Sequence, residues 1–367
     1  MKKKIVIINE FVFAGGVESV MYNFAEYLCN EGYDVTIFTT LREKDFYNVY
    51  SKKVKHKYYY RCKLRKYNLF TRIVYKLARA AKGIMFLRKY DVVIAMKEGA
   101  FAKIALKFKN AKKKIVWVHS DFETLHYTKN HFESDEEERE FYSKFDYTVC
   151  VTKAVERNLI KTIGNPNNTI VRYNPVHDEN IRELSKEPCD LKRTDDKKLF
   201  ITIGRISHEK GYAELVESIS KMKERNFELW IIGGGDKKRC EDDVYFQRVK
   251  KVIEDNDLSS VVKMLGRKDN PYPYLKQADC YICSSFSESF CMSIQEALVL
   301  GVPVITTNCP GAVEVLNSDV SVVVDKIQDI PEVMCDIIEN KQRFDVSKYK
   351  YPSLEERMKA IEEILTF

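Results

Sequence analysis

No run of about 18 apolar residues occurs in the 367-residue sequence, so nothing in it reads as a membrane-spanning helix. The apolar stretch nearest the N-terminus, Ile5 to Ile8, follows Met1-Lys2-Lys3-Lys4 and is too short for a secretory signal core. The expectation is therefore a cytoplasmic protein. No second C-x-x-C and no nearby histidine accompanies Cys280-Tyr281-Ile282-Cys283, which argues against a zinc or redox motif. The ten cysteines, from Cys29 to Cys335, are expected to be reduced and mostly core residues. The dinucleotide fingerprint G-x-G-x-x-G is also missing; the first loop carries Gly15-Gly16 instead.

Acidic residues are absent from Phe46 to Tyr90, where fourteen Lys and Arg lie between Lys52 and Lys89. The net charge is +7, so the remainder of the chain is net negative. Tyr58, Tyr59, Tyr60, Tyr67, Phe70, Tyr75 and Phe86 interleave these cations. Such a segment asks for an anionic partner. It suits an anionic membrane surface better than nucleic acid, since no RNA-binding motif accompanies it. A merely solvated basic face is the alternative.

At this length two domains are expected. In the first half, Lys4–Asn9, Val35–Phe38, Val92–Ile94, Ile115–Val118 and Thr148–Val151 read as buried strands. A helix over Val17–Cys29 follows the first strand. A polar stretch, Ser185 to Lys198, reads as a linker. Strands then resume at Leu199–Ile203, Leu229–Ile232, Val261–Leu265, Asp279–Cys283 and Val304–Thr306. This alternation predicts α/β architecture: two doubly wound, Rossmann-like domains with a ligand cleft outside the strand ends. The boundaries read as 1–180 and 181–349, with an amphipathic helix at 350–367.

Two constellations carry chemistry. In the first, a strand ending at Cys283 leads into Ser284-Ser285-Phe286-Ser287-Glu288-Ser289-Phe290-Cys291-Met292, and a helix bearing Glu296 follows. Carboxylates accept sugar or ribose hydroxyls, and a helix start offers N–H groups to phosphate. Equally, Ser293-x-x-Glu296 is a capping-box pattern and Glu288 a solvated loop residue. The second, Gly204-Arg205-Ile206-Ser207-His208-Glu209-Lys210-Gly211, places two cations in a strand-to-helix loop suited to a diphosphate. An ordinary charged loop is the competing reading. His119 stands at a strand's carboxyl end, where a structural role competes with a functional one.

Together these residues resemble the retaining glycosyltransferases of the GT-B fold, specifically glycosyltransferase family 4. The E-x7-E pattern of Glu288 and Glu296 carries most of the likeness, with Gly204-Arg205…Lys210-Gly211 second. Gly15-Gly16, His119, Asn174-Pro175 and Gly233 to Asp236 support it. The resemblance implies that Arg205 and Lys210 hold the departing diphosphate and that Glu296 binds the ribose. It implies that Glu288 contacts the sugar and the backbone of Ser289, Phe290, Cys291 and Met292 the sugar or phosphate, with His119 facing the sugar from the N-terminal domain. Gly15, Gly16 and Gly234 would allow close approach, and Gly266-Arg267 would lie near the base. The final helix would cross back onto the first domain. Relatives often carry Glu-Gly-Phe where this chain has Glu288-Ser289-Phe290, a change expected to alter sugar fit.

No D-x-D motif stands in a suitable loop, so no metal and no cofactor are expected beyond the donor, a nucleotide sugar biased to UDP. The resemblance and the basic segment together imply a lipid-pyrophosphate-linked saccharide acceptor, with the enzyme peripheral at the inner membrane face. A GT-B-like epimerase, a phosphorylase or an inactive nucleotide-sugar-binding scaffold are the alternatives.

Overall fold

The computed structural model describes residues 3–10, 15–41, 46, 50–60, 84–222, 224–234 and 243–366. The chain divides into two compact units, residues 1–175 with 354–367, and residues 176–353.

Unit 1 is built on a seven-stranded sheet. Its strands are β1 (Lys4–Asn9), β2 (Asp34–Leu41), β3 (Lys55–Tyr60), β4 (Tyr90–Ala95), β5 (Ala111–Val118), β6 (Tyr147–Cys150) and β7 (Thr169–Val171). All pairings are parallel, in the order β3-β2-β1-β4-β5-β6-β7. Five successive residues of β1 are buried, as in a strand covered by helices on both faces. The helix Gly16–Asn30 covers one face with Val20, Met21, Phe24, Ala25 and Leu28. Ser134 and Thr152 each accept a backbone N–H at the start of a later helix, satisfying donors that helix ends leave open.

The C-terminal helix Leu354–Leu365 belongs to this unit, a placement its periodicity did not reveal. It buries Met358, Ile361, Ile364 and Leu365. Arg357 donates to the Asn174 carbonyl at 2.7 Å, Arg172 to the Ala360 carbonyl at 2.6 Å, and Lys113 to that of Ile364 at 3.0 Å. These cations meet the helix's own and neighbouring carbonyls, so the docking is polar as well as apolar.

Unit 2 holds β8 (Lys198–Ile203), β9 (Phe227–Ile232), β10 (Val262–Gly266), β11 (Cys280–Cys283), β12 (Val304–Thr307) and β13 (Ser321–Val324). They pair in the parallel order β10-β9-β8-β11-β12-β13. Alternate side chains separate into two cores. Phe200, Leu229, Ile231, Cys280, Ile282 and Ile305 face one layer; Leu199, Ile201, Trp230, Tyr281, Cys283 and Val304 face the other. Cys280 and Cys283 therefore lie on opposite faces, as strand pleating requires of residues three apart.

Three strands escaped the sequence reading: β3, β7 and β13. All three are edges of their sheets. β3 lies within the basic segment, where lysines masked its apolar pattern. The stretch 185–198 lies inside unit 2 rather than joining the units. Its Arg193 donates to the Gln277 carbonyl at 3.1 Å and pairs with Asp279 at 2.7 Å, tying it to β11.

Candidate active site

In unit 2 the sequence order of the strands reverses between β8 and β11, and the loops leaving these two strands contain both predicted constellations. Ligands of doubly wound sheets bind at such a switch point, because adjacent connections run to opposite faces and open a crevice. The two loops are joined backbone to backbone. Phe286 N–H donates to the Glu209 carbonyl at 2.8 Å, and Ser284 Oγ to the Lys210 carbonyl at 2.8 Å. Gly211 makes the approach possible: its φ is +64°, and a Cβ there would sit 2.3 Å from the Ser284 carbonyl oxygen.

At the centre Lys210 Nζ donates to Glu288 Oε1 at 2.6 Å. Ser285 Oγ donates to the same oxygen at 2.6 Å, and Glu288 Oε2 has no hydrogen-bond partner among the described residues. Burial disfavours the Lys210 charge, but the Glu288 carboxylate overrides it and holds the ammonium above the usual lysine range. Arg205, on the same loop, is exposed.

Glu296 lies in the helix Met292–Val299. Burial raises its carboxyl pKa to about 7; the opposing influence is Tyr272, whose hydroxyl reaches Glu296 Oε1 at 3.4 Å. The capping-box alternative fails. Cys291 occupies the N-cap with φ +47°, Ser293 is already helical, and its hydroxyl donates to the Ile203 carbonyl at 3.0 Å. No side chain caps this helix, which leaves its first N–H groups for a ligand. Ser289 and Met292 are half-buried, and Phe290 and Cys291 buried, along the same turn.

Four further glycines of unit 2, Gly204, Gly233, Gly234 and Gly266, knit its loops. Gly204 N–H donates to the Ile232 carbonyl at 3.0 Å, Ile206 N–H to that of Gly234 at 2.9 Å, and Gly233 N–H to that of Gly266 at 3.0 Å. A Cβ on Gly233 would fall 1.8 Å from the Gly204 carbonyl oxygen. Arg205, Gly234 and Gly266-Arg267 therefore issue from one knot of backbone; Gly235 and Asp236 lie outside the described residues.

In unit 1, Gly15 and Gly16 open the helix Gly16–Asn30, and both are exposed. His119 follows β5. Burial pushes its pKa down to about 4, against the pull of Glu98, so the imidazole is neutral near pH 7. Its Nε2 is enclosed and has no hydrogen-bond partner among the described residues.

Several residues of these sites went unread. Glu98, buried just beyond β4, accepts the backbone N–H groups of His119 at 3.1 Å and Ser120 at 3.0 Å, and so fixes the His119 turn. Tyr272 partners Glu296. Gly311 lies beneath the first acid, where a Cβ would stand 2.3 Å from the Glu288 carbonyl oxygen and 2.4 Å from that of Ser289. Glu98 and Gly311 follow strands at their carboxyl ends, which is the one signal that could have marked them. Gly311→Ala should displace the Glu288 turn at a cost of about 1–3 kcal/mol, as overpacking does. Urea denaturation measures that loss, and an unchanged midpoint would contradict the contact.

Among the described residues Cys283, Glu288 and Cys291 bring ligand-type atoms within 4.8 Å of one another. A cation placed there would meet the Lys210 ammonium already on Glu288.

The fold agrees with that of known protein families and solved structures. Residues 14–180 match the family described as Glycosyltransferase Family 4, and residues 185–352 match Glycosyl transferases group 1. The chain belongs to the GT-B glycosyltransferases of family 4 type. It is 29% identical over 191 residues to an uncharacterized glycosyltransferase of Methanocaldococcus jannaschii, covering 50% of this chain and 45% of that one. It is 26% identical over 180 residues to the N-acetylgalactosamine-N,N'-diacetylbacillosaminyl-diphospho-undecaprenol 4-alpha-N-acetylgalactosaminyltransferase of Campylobacter jejuni, covering 48% and 46%. These alignments span under half the length of either relative. The structure of Anabaena HepE, in complex with UDP and glucose, superposes with a TM-score of 0.75 at 16% identity over 100% of both chains, which shows the shared fold.

Proposed function

We propose that the chain transfers a hexose or N-acetylhexosamine from a UDP-sugar to a lipid-linked saccharide acceptor, with retention at the anomeric carbon. The observation that carries this is the Lys210–Glu288 pair at the switch point of unit 2, on a loop that also bears Arg205. A diphosphate entering there would meet two cations and an uncapped helix start, which together stabilise the negative charge of a departing nucleotide. Glu288 Oε2 is open to a sugar hydroxyl, and Glu296 suits the ribose. Among the described residues no carboxylate is placed as an obvious nucleophile, so front-face displacement is the favoured route, the donor's own phosphate oxygen serving as base. The cations would do the work of a metal. Unit 1 is assigned the acceptor, while its His119 would face the donor sugar and Gly15-Gly16 would let the first loop approach the donor phosphates.

The name of the Campylobacter relative specifies a diphospho-undecaprenol acceptor, which supports a lipid-linked one here. No helix among the described residues is long and apolar enough to cross a membrane. Contact with a bilayer is assigned to the basic segment. Only its ends are described: Lys55 pairs with Asp34 at 2.6 Å, and Lys57 donates to the Tyr90 hydroxyl at 3.1 Å. Lysines on an edge strand also discourage strand addition, which is the competing purpose. Each basic residue near an anionic surface contributes about 1 kcal/mol. Changing Lys52, Lys53, Lys55 and Lys57 to Glu should therefore abolish sedimentation with anionic liposomes, and undiminished binding would remove the membrane assignment.

The central test is a panel of nucleotide sugars read by thermal shift, because a ligand that binds only the folded state raises its melting temperature. The winning donor is then incubated with undecaprenyl-diphosphate-linked saccharides. Transfer supports the proposal. Interconversion of free sugar nucleotides without acceptor would replace it with an epimerase.

A further inference from the structure

The C-x-x-C of the sequence is not a pair, but the structure makes another. Cys283 ends β11, and Cys291 caps the helix Met292–Val299; their sulfurs are 3.8 Å apart, and both residues are buried. All eight described cysteines are free thiols. The segment between these two carries Glu288, whose Oε1 lies 4.0 Å from the Cys283 sulfur. We propose that Cys283 and Cys291 form a reversible disulfide under peroxide, and that this bond closes the donor site. Bond formation stands on geometry alone; its effect on donor binding rests on the transferase reading.

Sulfurs at this separation must approach by roughly 1.8 Å to reach bonding distance. Cys291 is at the junction of loop and helix, so the movement falls on the turn that carries Ser289 to Met292. Cys280 is excluded as partner because it faces the other core layer. Cys309 shares their core layer and is the competitor, but its thiol donates to the Ser285 carbonyl at 3.0 Å. The first nucleophile is Cys283. A hydrogen bond from the Cys291 thiol lowers its pKa, and the Lys210 ammonium adds to this against burial and Glu288. Its thiolate attacks one oxygen of hydrogen peroxide, the O–O bond breaks, and hydroxide leaves as water after taking a proton. Cys283 is then a sulfenic acid. The Cys291 sulfur attacks it, the S–S bond forms, the S–O bond breaks, and a second water departs with the Cys291 proton. Each sulfur loses one electron and the peroxide gains two.

The test treats the full chain with hydrogen peroxide, blocks remaining thiols and measures intact mass. Loss of two hydrogens is expected. Chymotrypsin cuts after Tyr281, Phe286 and Phe290 and so separates Cys280, Cys283 and Cys291, and a linked pair of peptides bearing Cys283 and Cys291 is expected. UDP is the binding probe: its thermal shift should fall at least tenfold in apparent affinity after oxidation and return with dithiothreitol. Cys283→Ser should keep its UDP response through peroxide treatment. A link to Cys309, oxygen addition without loss of hydrogen, or a Cys283–Cys291 link that leaves the UDP response intact would each overturn the proposal. Should reduced protein ignore UDP, the donor assignment fails, while the peptide map still decides whether the bond forms.

Discussion

Lys210→Met is expected to lower turnover by roughly 10²–10³-fold, the usual effect of removing a group that stabilises charge developing in the transition state. The same substitution should also destabilise the fold. It strands the Glu288 carboxylate, whose side chain is 10% exposed, with the Ser285 hydroxyl and the more distant Cys283 thiol as its remaining donors among the described residues. Breaking a fully buried pair costs about 3–5 kcal/mol. Lys210 keeps 25% of its side-chain surface, so solvent screening brings the figure nearer about 1–3 kcal/mol. Structure and catalysis separate in the double variant. Lys210→Met with Glu288→Gln removes both charges and should recover most of the stability but none of the turnover. Denaturant midpoints and single-turnover rates on the same proteins measure the two quantities. Should Lys210→Met keep wild-type turnover, the leaving-group role passes to Arg205 alone.

Glu296→Gln should have two opposite effects. Hydrogen bonds to charged acceptors contribute about 1.5–3 kcal/mol each, so nucleotide affinity should fall roughly 10–100-fold. Stability at pH 8 should rise. Burial holds the Glu296 pKa at about 7 in the folded protein, above the ordinary carboxylate value near 4.3 of an unfolded chain. Between these values the folded state keeps a proton that the unfolded state has lost. Stability from this group is therefore complete below the unfolded pKa and is lost as pH rises through about 7. Wild type should lose melting temperature across that window relative to Glu296→Gln. Parallel profiles would show that Glu296 is not desolvated. Nucleotide binding should strengthen over the same window as the carboxylate ionises, so function is gained where stability is given up.

How much of this was legible depends on the range of the interaction. Strand alternation is a local pattern and reads correctly as a doubly wound fold; the cations of the Gly204–Gly211 segment read as a strand-to-helix loop, and only the sheet order shows that this loop leaves β8 at the switch point. The acids were visible only as a spacing. A capping box fitted Ser293 and Glu296 equally well, and only the position of Cys291 at the helix start decided against it. Glu98, Tyr272 and Gly311 were not legible, because what makes them matter is a neighbour far away in sequence: His119, Glu296 and the Glu288 backbone respectively. The edge strands β3 and β13 were missed for another reason. An edge strand buries less, so its hydrophobic pattern is weaker.

The separation of Lys210 from Glu288, 78 residues along the chain, has a consequence for assembly. Closing so long a loop is slow, and parallel strands pair late because little local structure rewards them. While the chain is being made, the cationic loop after β8 emerges well before the strand that brings its carboxylate. The cationic half therefore exists for a time without the carboxylate that pairs with it. On the proposed reading, competence to hold a donor would arrive in one step, when β11 joins β8, and donor binding would then favour the completed sheet over every partial one.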